Sequence, residues 1–315
     1  MSAYRFCRTD DIGLLVDALN RCWAPYVPDE PPITAAAFKR AIRDLQVWCS
    51  SCMVAFSGAE PIGVLIGAKR SSGTLVHRIA VHPDHVRQGH GRHLVASLGS
   101  KLAILGPPRI VAEVPETLAP ARALFSASGY VQDARLTDYV WQREAIAVPK
   151  AAAGFVIPVT IDDLAANGLL EQAYPVCWER SVETLTARKD DIAGLAVASD
   201  ERIEAYVLYL NRPGGFAPPA PPAPSLAGTP MPRSAPAGRA CGAPAITWEI
   251  LSLRSFVEDG GARLTHLVAQ LGARGIETCR FPKVHPAELP EETLGALGCR
   301  PAGGHLRYAT TARSA

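Results

Sequence analysis

The sequence predicts a mixed α/β protein (an α+β mixed sheet) written twice over. Two observations predict it: short apolar strands alternate with amphipathic helices, and the order of pieces in the first 145 residues returns in fainter form after residue 155. A third observation completes the division. The stretch 211–245 holds ten of the 27 prolines, with Ala, Gly and Ser filling most of the rest, and is too poor in large apolar side chains to belong to either core. At roughly 150 residues per domain, a chain of 315 residues accommodates two domains, each long enough to bury a core of its own.

The elements follow in order. A short amino-terminal strand leads into Thr9-Asp10-Asp11-Ile12, a helix-start signal, and an amphipathic run through Leu14, Leu15, Ala18 and Leu19 that ends near Trp23. Cys52 to Phe56 and Ile62 to Ile66, joined by Ser57-Gly58-Ala59-Glu60, read as a hairpin, and Thr74 to Val81 as the next strand. The same order returns as Phe155-Val156-Ile157, the start signal Thr160 to Asp163, a run through Leu169, Leu170, Ala173 and Trp178, a hairpin Leu195–Ala198 and Ala205–Leu210, and a strand Ile246–Phe256. The expected division is a first domain over 1–146, a linker over 147–154, and a second domain over 155–312 interrupted by the proline-rich loop.

Composition narrows the classes of function. With 32 Lys+Arg against 30 Asp+Glu the net charge is +2, which argues against a nucleic-acid backbone as the main partner. No run of eighteen apolar residues predicts a transmembrane helix, and Met1 to Asp11 has no apolar core of a signal peptide, so a cytoplasmic location without membrane contact is expected. Eight cysteines are ordinary usage and read as free thiols. Oligomeric state leaves no trace.

The densest chemistry lies in 77–129. The strand ending at Val81 runs into His82-Pro83-Asp84, then Val86-Arg87-Gln88-Gly89-His90-Gly91-Arg92, then a helix with Leu94, Leu98 and Leu102 at every fourth position. A strand, a glycine turn and a helix amino terminus suit a phosphate, because unpaired N–H groups and the positive end of the helix dipole converge there. A tight strand-to-helix turn without a ligand reads the same residues. The G-x-G-x-x-G fingerprint fails at Leu94, and no Gly-Lys-Ser/Thr follows. Five of the eight histidines fall between His77 and His93 and read as solvated, phosphate-facing groups; their spacing supports no metal site, and none is expected.

The order of these pieces resembles the GNAT family of N-acetyltransferases. Val81-His82-Pro83 and Val86-Arg87-Gln88-Gly89-His90-Gly91 follow the family's strand end and turn, Ile110 to Val114 its next strand, and Leu124-Phe125 with Gly129-Tyr130 its closing helix. The resemblance covers nearly all of Tyr4 to Arg143 and implies a GNAT fold in each half, in a tandem arrangement like that of mycothiol synthase-like proteins. It implies acetyl-CoA as co-substrate, with Ile79, Ala80 and Val81 holding the pantetheine and Arg87, Gln88, Gly89, His90, Gly91 and Arg92 the pyrophosphate. Acetyl transfer to a primary amine of a small molecule or peptide is the implied reaction, and Glu113 the implied base. A carboxylate in an apolar strand also reads as a structural ion pair.

Three positions depart from the pattern: Val86 for the first turn residue, Leu118 for a frequent Asn, and Phe125 for the tyrosine that serves as general acid. A phenyl ring donates no proton, which leaves solvent or another tyrosine such as Tyr139 for that role, or a protein that binds acyl-CoA without catalysis. In the second half, Val257-Glu258-Asp259-Gly260-Gly261 has lost the Gly-x-Gly spacing and puts negative charge where a pyrophosphate would sit. A degenerate second domain that no longer binds CoA is expected.

Overall fold

A computed structural model describes residues 2–27, 31–143, 154–172, 174–210 and 248–312; the proline-rich stretch and all of the expected linker but Gly154 lie outside them. The first half contains β1 (Ser2–Phe6), α1 (Ile12–Trp23), α2 (Ala35–Leu45), β2 (Met53–Ser57), β3 (Glu60–Arg70), β4 (Gly73–Val81), α3 (His90–Leu105), β5 (Arg109–Pro115), α4 (Ala119–Ala127) and β6 (Val131–Gln142). The second contains β7 (Phe155–Val159), α5 (Ile161–Ala166), α6 (Val182–Ala187), β8 (Ile192–Ala198), β9 (Ile203–Leu210), β10 (Trp248–Ser255), α7 (Ala262–Ala273), β11 (Thr278–Val284), α8 (Glu291–Ala296) and β12 (Cys299–Thr311).

Strand alternation sets the layers. On β5, Val111 joins the cluster under α1 and α2, whereas Ile110, Ala112 and Val114 join the one under α3 and α4. On β9, Ala205, Val207 and Tyr209 face α7 and α8 while Tyr206, Leu208 and Leu210 face α5. The four-residue spacing read in α3 is a buried stripe, Leu94, Leu98 and Leu102 all being within the core. The second-half helix is shorter than its sequence suggested. Asn167 caps α5 after Ala166 and Gly168 turns the chain at φ +67°, so Trp178 stands on a separate 3₁₀ turn, Trp178–Arg180.

One sheet of twelve strands runs through both halves in the order β1-β2-β3-β4-β5-β12-β6-β11-β10-β9-β8-β7. The last strands are exchanged. β12 lies between β5 and β6 of the first half, pairing Arg307 with both Glu113 and Ala134, and β6 pairs with β11 of the second half through Phe281 and Tyr139. Backbone hydrogen bonds therefore interlock the halves, and residues of one are carried into the other.

Candidate active site

The first half holds an opening in the sheet. β4 and β5 run parallel but pair only at Thr74–Ile110 and Leu75–Val111. The cause is local: against β3 the register slips between Ile66–Arg78 and Gly67–Val76, so His77 is an extra, bulged residue that turns β4 away. Ile79, Ala80 and Val81 form the diverging end of β4, and the Val81 carbonyl accepts a 2.7 Å hydrogen bond from the Tyr26 hydroxyl.

The glycine turn lies at the end of this opening. Gly89 starts α3 at φ +87°, which favours glycine, and no side chain caps the helix. Arg87 sits at φ +63°, and Arg87, Gln88, Gly89 and Arg92 are exposed. At Gly91 an added Cβ would lie 3.3 Å from Leu124, so the helix start approaches α4 closely. His90 departs from the expected solvated role: it is 5% exposed, with Nδ1 2.6 Å from the Tyr4 hydroxyl, and burial lowers its pKa. What His90 can offer an anion there is its backbone N–H. The His77 Nε2 is likewise buried, and burial, reinforced by Arg78, pushes that imidazole down to about 3.

The second half repeats the geometry and fills it. β10 and β11 pair in parallel only at Trp248–Cys279 and Glu249–Arg280, and Leu251 is the extra residue against β9. Into this opening goes Arg180, 0% exposed, donating to the Leu251 carbonyl at 3.4 Å, the Lys283 carbonyl at 3.0 Å and both oxygens of Glu288 at 2.6 and 2.5 Å. Burial opposes the charge of Arg180, but Glu288 holds its pKa above the usual value. At the start of α7, the Asp259 carboxylate accepts from the N–H groups of Gly261 at 3.0 Å and Arg263 at 2.9 Å, the place an anion would take. Side chains of the chain itself occupy both subsites.

Glu113 lies on the α1 and α2 side of the first opening, its side chain 4% exposed. Its Oε1 accepts the Trp178 N–H at 2.9 Å, and its Oε2 lies 3.1 Å from the Lys283 ammonium, which is also 2.6 Å from Glu179. Both contacts come from the second half. Cys177, Glu113 and Glu179 place possible metal-ligating atoms within 4.8 Å of one another, but Lys283 is the cation that the two carboxylates hold.

Tyr139 does not join this group. It is buried in the core under α7 and α8, opposite Pro301 on β12, whereas Glu113 is opposite Arg307. Six residues along a strand amount to about 20 Å. Phe125 is 2% exposed, edge-on to Tyr130 and stacked near Tyr308, so the family's acid position is core here. Sequence reasoning missed Glu179, Arg180 and Lys283. One signal was available for the last: a charged residue in the apolar strand Phe281-Pro282-Lys283-Val284, the same signal that drew attention to Glu113.

Comparison with known proteins agrees with this geometry. The model of the acetyltransferase (GNAT) family matches residues 14–130. The first half is a GNAT-family domain. A tandem GNAT protein from the clavulanic acid biosynthesis pathway superposes with a TM-score of 0.62 at 16% identity, covering 100% of both chains. A GCN5-related N-acetyltransferase from Sphaerobacter thermophilus gives 0.63 at 14% identity, covering 99% of this chain and 96% of its own. A third, from Anabaena variabilis, gives 0.60 at 12% identity, covering 99% and 73%. These likenesses establish two GNAT folds in tandem. No curated protein matches the sequence. Among the described residues, no helix is long and apolar enough to cross a membrane.

Proposed function

We propose that the first GNAT domain transfers an acetyl group from acetyl-CoA to a primary amine of a small molecule or peptide. The observation that carries this reading is the contrast between two equivalent places: the β10–β11 opening is filled by the buried charge of Arg180 and the α7 start by Asp259, while no side chain caps the start of α3 and the Val81 carbonyl at the diverging end of β4 is met by the half-exposed Tyr26 hydroxyl rather than by a buried charge. A helix amino terminus without a side-chain cap suits a pyrophosphate, and a bulged strand that diverges from its neighbour suits the amides of pantetheine. Ile79, Ala80 and Val81 take the first role, and 87–92 the second, largely through backbone groups. Glu113 receives the proton of the acceptor amine. With Phe125 in the core, solvent protonates the departing thiolate.

The rival reading, an acyl-CoA-binding protein without turnover, draws on Phe125. A thiol-release assay across amines, polyamines and peptide amino termini separates the two. CoA release with at least one acceptor is expected. Micromolar acetyl-CoA binding with no release above background would sink the enzyme reading and leave the rival.

A further inference from the structure

The residue that engages Glu113 belongs to the other half and is held there by an unusual backbone. Lys283 has φ +52°, a left-handed conformation that a long side chain adopts at a cost and that persists where its surroundings over-determine it. They do so here. Its N–H donates to Asp138 Oδ1 at 2.8 Å, its carbonyl accepts from Arg180 at 3.0 Å, and the register of β11 against β6 slips between Phe281 and Val284. The result is an ammonium, 7% exposed, aimed across the junction at Glu113.

We infer that Lys283 is a positioning residue of the first half's acceptor site, orienting Glu113 to receive the acceptor's proton. The inference rests on the reading of Glu113 as base given above. Trp178 N–H donates to Oε1 and Lys283 to Oε2, a donor on each carboxylate oxygen that fixes the plane of the group. A carboxylate offers about four lone-pair sites, so each oxygen keeps room for a proton. The second half thereby acts on chemistry in the first.

The charges decide the expected pH behaviour. Removing the ammonium would leave Glu113 and Glu179 sharing a buried place, where two like charges are not both sustained and one takes up a proton. Burial already opposes the charge of Glu179, and Lys283 is what holds its pKa below the usual range. The neighbours do not titrate near neutrality. His77 on β4 and His305 on β12 are pushed down by burial to about 3 and about 4, and burial raises the Cys177 thiol to about 12. The other cations that face the group are Arg70 on β3, Arg78 on β4 and Arg280 on β11, the last paired with Asp138 on β6. Glu249 on β10, which faces Glu179, is raised by burial and is the one further carboxylate to follow.

The test uses the full chain with Lys283→Met and Lys283→Arg, following acetyl-CoA affinity by calorimetry and kcat/KM against pH with an acceptor that wild type uses. For Lys283→Met, acetyl-CoA affinity should stay within about twofold, kcat/KM at pH 7 should fall about tenfold or more, and the acid limb should move up by about one pH unit. Lys283→Arg should restore the limb. Should Lys283→Met fail to fold, Glu179→Gln with Lys283→Met removes one charge of each sign and should still move the limb upward. An unmoved limb, with activity falling only as the folded fraction falls, overturns the inference and leaves the acetyltransferase reading standing. Absence of CoA release by wild type with every acceptor overturns both.

Discussion

The two halves turn the same strand at the same step and begin the next helix on the same kind of glycine, yet they differ in what meets the polar groups thus exposed. His77 and Leu251 are equivalent bulges, and Gly89 and Gly261 equivalent helix starts at φ +87° and +84°. In the second half Arg180 reaches the bulge carbonyl and Asp259 the helix N–H groups. In the first, no side chain caps the start of α3, and the Val81 carbonyl at the end of β4 accepts from the Tyr26 hydroxyl. Even the carboxylate is one-sided: Tyr308 stands opposite Ala112 and Tyr139 opposite Phe281, so the residue that follows is Glu113 in one strand and Pro282 in the other.

The largest expected effect tests the one-sidedness of chemistry. Glu113→Gln should lower turnover by about two to four orders of magnitude with little loss of acetyl-CoA affinity, measured by CoA release and calorimetry; unchanged turnover would return Glu113 to a purely structural ion pair. Next comes the plug. Arg180→Ala leaves Glu288 buried without its partner and should cost about 3–5 kcal/mol in urea unfolding. A loss below about 1 kcal/mol would mean that the second opening does not depend on it.

A smaller effect transfers the second half's character to the first. Asp259 lies two residues before its helix-start glycine, as Arg87 does before Gly89, so Arg87→Asp should place a carboxylate at the uncapped turn. Acetyl-CoA affinity should fall about tenfold, or about 1.4 kcal/mol. Unaltered affinity would show that the anion is bound elsewhere. The smallest effect concerns the alternative acid: Tyr139→Phe should leave turnover within about twofold, since that side chain lies in the other half's core. A hundredfold loss would place its hydroxyl back in the mechanism.

Much of the frame was legible before any coordinates. The stripe Leu94, Leu98, Leu102 and the glycines of the turn are short-range signals, complete within about four helical turns, and they emerge as a buried helix face and an uncapped helix start. The bulge at His77 was not legible, because it depends on which residue of β3 lies opposite. The histidines misled for a related reason. Their clustering suggested a wet, basic surface, but where each ring lies depends on what packs over it: His90 and the His77 Nε2 are buried, while His93 on the same helix as His90 is exposed.

By itself the sequence determined the order of strands and helices, their repetition, and the presence of one glycine turn able to receive an anion, since apolar spacing and backbone freedom are properties of neighbouring residues. The tertiary structure alone decided the rest. Arg180 meets Glu288 across 108 residues and Lys283 meets Glu113 across 170, and the exchange of β6 and β12 carries Tyr139 away from the acid's place. Which partner a buried charge finds depends on strand order and register, and those are settled by the packing of the whole sheet rather than by any local pattern.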